Sequence, residues 1–372
     1  MTKIFVLTAM AAALVVGTTT VPSAQSSWNP KAAAAYLDGR AEWWSTWPNA
    51  KRDHDTVCVS CHMTAPYALA RPSLRRSLGE SAPAAPERTM AANVMKRIAI
   101  WRDTAPFYAD QTSGLPKTSE SRGTESVLNA LVLAIRDGES GAFSDDLRAA
   151  FDNMWALQMK RQALAGAWAW LNFHYEPWES DNAPYFGATL AAMAIGAAPG
   201  SYAASAPIQD NVKLLREYLR KEFDRQPLFN QLMAQTASAK LPDIISDIQR
   251  QATVAAAMAK QQPDGGWTMA ALGAWKRVDD TPLVTASDGY ATGLVTLALQ
   301  QAGISASNPA LSKGLDWLRT HQDRAAGQWH ATSLNKQRDP ASDIGRFMDD
   351  AATAYAVMSL TYASPGRSTA AR

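Results

Sequence analysis

Apolar residues recur along the chain at helical spacing, in alanine-rich segments set apart by Pro, Gly and Asp clusters, and strand-like alternation is weak throughout. The pattern predicts an all-α protein. Five segments resemble one another, with small residues alternating with Leu, Met and Tyr: Thr64 to Ala70, Thr124 to Ala134, Tyr185 to Ala194, Asp288 to Ala298 and Asp350 to Ser359. They repeat about every 60 residues except across one gap of 104, which Leu228 to Ala239 divides in register with the rest. More polar, amphipathic helices lie between them, such as Asn211 to Phe223 and Pro309 to His321. A unit of one apolar and one amphipathic helix cannot cover its apolar helix alone and must stack on its neighbours. About six such hairpins close into a ring, an (α/α)6 toroid with the apolar helices inside. It is expected to occupy 26–365 as a single domain.

The ends read differently from this ring. Residues 1–25 have the form of a Sec signal peptide: Lys3 in the n-region, an apolar stretch from Ile4 to Val16, and small residues from Val21 to Ser26. The apolar stretch is too short to span about 30 Å of hydrocarbon at ~1.5 Å per residue, which argues for cleavage over anchoring. Residues 366–372 are expected to be a disordered tail. No other segment approaches 18 uninterrupted apolar residues, so no transmembrane segment is expected in the mature chain, and the location implied is periplasmic or secreted.

Charge narrows the partners. Thirty-six basic and 34 acidic side chains give a net charge of +2 and leave no broad basic face for a nucleic acid. Thirteen tryptophans are a high share, and several sit in loops that read Gln, a few residues, Gly, one residue, Trp. Gln261-Gln262-Pro263-Asp264-Gly265-Gly266-Trp267 is the clearest; Gln322 with Gly327-Gln328-Trp329 and Gln162 with Gly166-Ala167-Trp168 follow the same plan. In these loops, over about Thr124 to Leu360, the chain resembles the squalene/hopene cyclase and protein prenyltransferase superfamily. There such loops staple an outer helix to the next inner one, so the resemblance implies a toroid and an architectural role for the tryptophans.

Cys58-Val59-Ser60-Cys61-His62 is the C-x-x-C-H signature of haem c attachment, and the chain has no other cysteine. Two thiols about one helical turn apart suit the two vinyl groups, and His62 is placed to ligate the iron as the proximal ligand. A Cys58–Cys61 redox disulfide, a zinc site built from Cys58, Cys61, His62 and a carboxylate, and no cofactor at all remain alternatives. His54, His174, His321, His330, Met90 and Met95 are the distal-ligand candidates, and a five-coordinate iron is the remaining option.

Acidic residues recur at the starts of the apolar helices: Glu125, Glu179 with Asp181, Asp288, and Asp349 with Asp350. Each suits a helix N-terminus, where a carboxylate accepts free N–H groups. If the inner helices run parallel, these acids also gather at one mouth of the ring beside Cys58 to His62, where they could manage protons. Asp279, Asp280 and Thr281 look like the latter part of the Asp-rich acid motif of the class II terpenoid cyclases, but Arg277 stands where its first Asp would be. Asp349 and Asp350 likewise lack a leading Asp. The leading functional expectation is an exported haem c protein acting in electron transfer, with a periplasmic redox partner, or in oxidative chemistry on an apolar small molecule in the central cavity. The rivals are a cyclase or lyase with Asp279 or Asp350 as the acid, and a non-catalytic binding scaffold. Secreted material is expected to lack Met1 to about Ala24, and an intact mass equal to all 372 residues would contradict this.

Overall fold

The structure, a computed structural model, describes residues 28–109 and 116–362; the expected signal peptide and the expected tail lie outside the described residues. Twelve α-helices appear among the described residues, with one two-stranded hairpin, β1 (Lys51–Arg52) and β2 (Thr56–Val57). The even-numbered helices are α2 (Thr64–Leu78), α4 (Pro116–Ser140), α6 (Ala183–Ala197), α8 (Leu228–Ser238), α10 (Gly289–Gln301) and α12 (Phe347–Tyr362). They coincide with the six apolar segments of the repeat. The odd-numbered ones are α1 (Pro30–Thr46), α3 (Ala85–Ala99), α5 (Asp145–Leu157), α7 (Gln209–Glu222), α9 (Asp247–Ala259) and α11 (Pro309–Thr320).

Burial separates the two sets. α6 buries twelve of its fifteen residues, whereas α7 buries Val212, Leu215, Tyr218 and Leu219 along a single stripe. Accordingly α2 packs on α4, α4 on α6, α6 on α8, α8 on α10, α10 on α12, and α12 returns to α2. The odd-numbered helices pack around the outside. The protein is thus an all-α ring of six helical hairpins. No helix among the described residues is long and apolar enough to cross a membrane.

Small residues let the inner helices approach. A Cβ on Gly293 of α10 would come within 2.6 Å of the Ala356 nitrogen on α12, so only glycine permits that contact. The helix starts are set by ordinary capping: Asn29, Ser144, Ser246, Asp288 and Asn308 each accept a backbone N–H at the head of α1, α5, α9, α10 and α11.

Three loops repeat one device. Gln158, Gln261 and Gln322 each donate through Nε2 to the carbonyl of the loop glycine (Gly166, Gly265, Gly327) and to a carbonyl at the start of the next outer helix. Those second acceptors are Asn211, Ala310 and Asn29. Trp168, Trp267 and Trp329 then donate through their indole N–H to Met154, Ala257 and Leu318 at the end of the preceding outer helix. In the first loop the working residue is Gln158 and not Gln162, which lies in the turn with φ 65°. The third loop bridges Gln322 to Asn29, so the same staple joins the last hairpin to the first.

The centre of the ring is filled. Trp178 stacks on Tyr290 with ring centroids 5.9 Å apart, Tyr290 lies 5.1 Å from Tyr355, and Phe229 and Phe186 pack alongside. The single lumen expected from the repeat is therefore divided by aromatic rings into two separate cavities, one at each mouth.

The loop glycines give a graded test. All three have positive φ, and an added Cβ at Gly166 or Gly327 would collide with a backbone carbonyl of the next outer helix, whereas at Gly265 it would sit 3.0 Å from the Lys313 Cβ. In urea denaturation, Gly166→Ala and Gly327→Ala are expected to cost about 2–3 kcal/mol each and Gly265→Ala about 1 kcal/mol. Equal costs would show that the close approach does not matter.

Candidate active site at the mouth of the ring

Cys58 to His62 form the turn that leads into α2, and the short hairpin aims them. The Cys58 N–H donates to the Ala50 carbonyl (2.8 Å), and Trp44 of α1 donates its indole N–H to the Cys58 carbonyl (2.7 Å). Asn93 of α3 pins Val57 from the other side through both its amide N–H and its carbonyl. Ser60, between the cysteines, accepts the N–H groups of Met63 and Thr64 and so satisfies two free donors at the head of α2.

Both thiols and His62 line one cavity of about 240 Å³. Its other walls come from Trp44 and Trp47 of α1, from Arg52 and Tyr108, from Trp178 and Glu179 before α6, and from Ser333, Arg338, Phe347 and Met348 around the start of α12. The imidazole of His62 is held by rings: Phe347 lies 4.1 Å away, Trp44 meets it edge-on at 5.0 Å, and Trp178 is at 5.9 Å. Its Nδ1 is buried without a hydrogen-bond partner. A tight turn in which Tyr175 and Glu179 exchange backbone hydrogen bonds presents Trp178 and Glu179 to the cavity.

Burial keeps this group of side chains uncharged. It pushes the Cys58 thiol up to about 12, and raises Cys61 well above its usual value with Glu179 adding to the effect. Burial, helped by Arg40 and Arg338, holds His62 far below the usual histidine range, so its ring is neutral at pH 7. Glu179, 3.9 Å from the Cys61 sulfur, is raised by burial to about 7. Thiols held protonated are poor partners for disulfide exchange, which needs a thiolate. Among the described residues no group of three His, Cys, Asp or Glu side chains is arranged to hold a metal ion.

The acids at the helix starts do not share this cavity, Glu179 excepted. Glu125, expected at a helix start, lies instead in the middle of α4, because that helix begins at Pro116, and it is buried in a pair with Arg97, which also reaches Thr56 at the hairpin. Asp181 is exposed beside His174. Asp288 accepts the N–H groups of Ala291 and Met269, and Asp349 that of Ala331. Asp350 receives Arg40 through two hydrogen bonds, 2.8 and 3.0 Å, and the hydroxyl of Tyr36. Asp279 and Asp280 lie on an exposed loop, where Asp279 receives Thr281 and the Gln337 N–H and Asp280 pairs with Lys276. Arg277 donates to the carbonyls of Ser333 and Pro282, which makes this segment a loop clamp. None of Asp279, Asp280, Asp288, Asp349 and Asp350 lines the cavity.

The expected distal ligands lie elsewhere too. His54 and His174 are paired on the surface, His321 stacks on Trp317, and His330 contacts Asp349. Met90 borders a separate pocket behind Cys58, and Met95 accepts from Arg136. Met348 is the methionine on the cavity wall. Trp44, Trp178 and Met348 had no chemical signature in the sequence; Glu179 had one, its place before an inner helix.

No protein-family model matches the chain. No curated protein matches it either. Among solved structures it is similar to a polysaccharide lyase at 13% identity and a TM-score of 0.33, over 91% of this chain and 90% of that one.

Glu179 sets a pH dependence. The folded state holds this proton to about pH 7, whereas the unfolded chain releases it near 4.5. The folded state therefore binds more protons between these values, and stability falls as pH rises through that window, by on the order of 2–3 kcal/mol. Glu179→Gln is expected to flatten the decline in urea titrations run at pH 5 and pH 7.5. An unchanged slope would show that Glu179 is ionised in the fold.

Proposed function

We propose that this protein is exported and carries haem c at the mouth of the ring, tethered by Cys58 and Cys61 and ligated by His62, on a toroid of the terpenoid-cyclase kind. The observation that carries the reading is that both thiols and a neutral imidazole, with a buried and unpaired Nδ1, lie on the wall of one cavity. Thioether formation adds S–H across a vinyl group and so uses protonated thiols, and iron takes the neutral imidazole. The flat walls of Trp44, Trp47, Trp178 and Phe347 suit a planar apolar group, while Arg52 and Arg338 stand ready for its acidic edge. At 240 Å³ the cavity holds only part of such a group, leaving the rest across the mouth.

Haem supplies one-electron chemistry when bound, and that suits electron transfer with a periplasmic partner or oxidation of a small apolar molecule at the same mouth. The chain's own residues fix the imidazole by aromatic packing, exclude water from the thiols, and place a proton on Glu179 beside Cys61. The signal-peptide form of residues 1–25 agrees with the reading, because c-type attachment takes place outside the bacterial cytoplasm.

Expression with a c-type maturation system is expected to give a coloured protein whose pigment stays in the pellet after acidified-acetone extraction. Cys61→Ala should loosen the attachment and His62→Ala should move the Soret band. A colourless wild-type protein under those conditions overturns the proposal.

A further inference from the structure

At the opposite mouth lies a cavity of about 340 Å³ to which all six inner helices contribute near their C-terminal ends. The Trp178–Tyr290–Tyr355 stack separates it from Cys58 to His62. Its size is at the lower end of the roughly 300–1,000 Å³ usual for small-molecule sites. The walls are mainly apolar, with Ile135, Met193, Leu297, Tyr355 and Met358 among them.

Two polar atoms on these walls have no partner: the hydroxyl of Thr236, a residue only 7% exposed, and the carbonyl oxygen of Gln301. Buried polar groups in native folds are almost always hydrogen-bonded, so these two atoms on a cavity wall are open to a ligand's hydrogen bonds. The surroundings choose its charge. The C-terminal ends of the inner helices bring the partial negative charge of their dipoles to this mouth, which disfavours an anion and favours a hydrogen-bond donor. At the rim, Arg76 and Glu139 satisfy each other, and Lys240 has interactions of its own. A cationic head would have to be stripped of water among apolar walls, whereas a hydroxyl both donates and accepts at little cost.

We infer that this second cavity binds an uncharged, mainly aliphatic molecule ending in one hydroxyl group. The hydroxyl donates to Gln301 and accepts from Thr236, and the aliphatic part lies against Leu297 and Met358. The inference is independent of haem attachment.

The test is calorimetric titration of the purified protein with 1-decanol and, separately, with decanoate. Saturable 1:1 binding of 1-decanol is expected, with decanoate weaker by about tenfold or more. Thr236→Val should weaken the alcohol about fivefold, as loss of one hydrogen bond does. Leu297→Trp should abolish binding by filling the cavity, and Met358→Trp, a half-buried position, should do so by blocking entry if the first variant fails to fold. Cys61→Ala should leave the affinity unchanged. The inference is overturned by absence of saturable binding, by decanoate binding as tightly as the alcohol, by alcohol affinity that survives both tryptophan variants, by an unchanged affinity in Thr236→Val, or by a loss of affinity in Cys61→Ala.

Discussion

Everything in this molecule depends on α12 meeting α2. A row of hairpins leaves apolar faces bare at both ends, and closure removes both ends at once. The contact is secured on the inside by the Thr361 hydroxyl donating to Ser73 (3.0 Å), and on the outside by Arg40 of α1 gripping Asp350. Burying such an ion pair is costly, and it holds because Asp350 is satisfied by both the guanidinium and Tyr36 while Arg40 also reaches Asp343. Asp350, which in the sequence resembles a catalytic acid, is therefore consumed by ring closure.

Closure also creates the chemistry of the mouth. The turn from Cys58 to His62 is a surface loop of the first hairpin until Phe347 and Met348 from the last hairpin come over it. Only then do the thiols, the imidazole and Glu179 lose water together, and each responds by favouring its neutral form. The site is neutral because it is enclosed from opposite ends of the sequence.

Architecture was legible in the sequence because it is periodic: six apolar segments and three Gln–Gly–Trp loops repeat with the fold. The misplacement of Gln162 for Gln158 is instructive, since the first loop is longer than the others and the nearest glutamine in sequence is not the one whose side chain reaches Gly166 and Asn211. The direction in which a carboxylate points was not legible. Asp288, Asp349 and Glu179 sit near inner-helix starts, where backbone N–H groups claim the first two and Glu179 is left to face Cys61, whereas Glu125 lies in the middle of α4 and is claimed by Arg97. Nor did the sequence show that Tyr290 and Tyr355 would meet in the middle and divide the lumen, because both read as ordinary members of apolar helices.

The staple between Gln322 and Asn29 has a bearing on timing. Its partners are 293 residues apart, and Arg40 and Asp350 are 310 apart, so a chain made from its N-terminus reaches these contacts last. Through nearly the whole of synthesis the cysteine turn has been delivered but its cover has not. The thiols of Cys58 and Cys61 are thus open to solvent early and become enclosed only when the final hairpin docks.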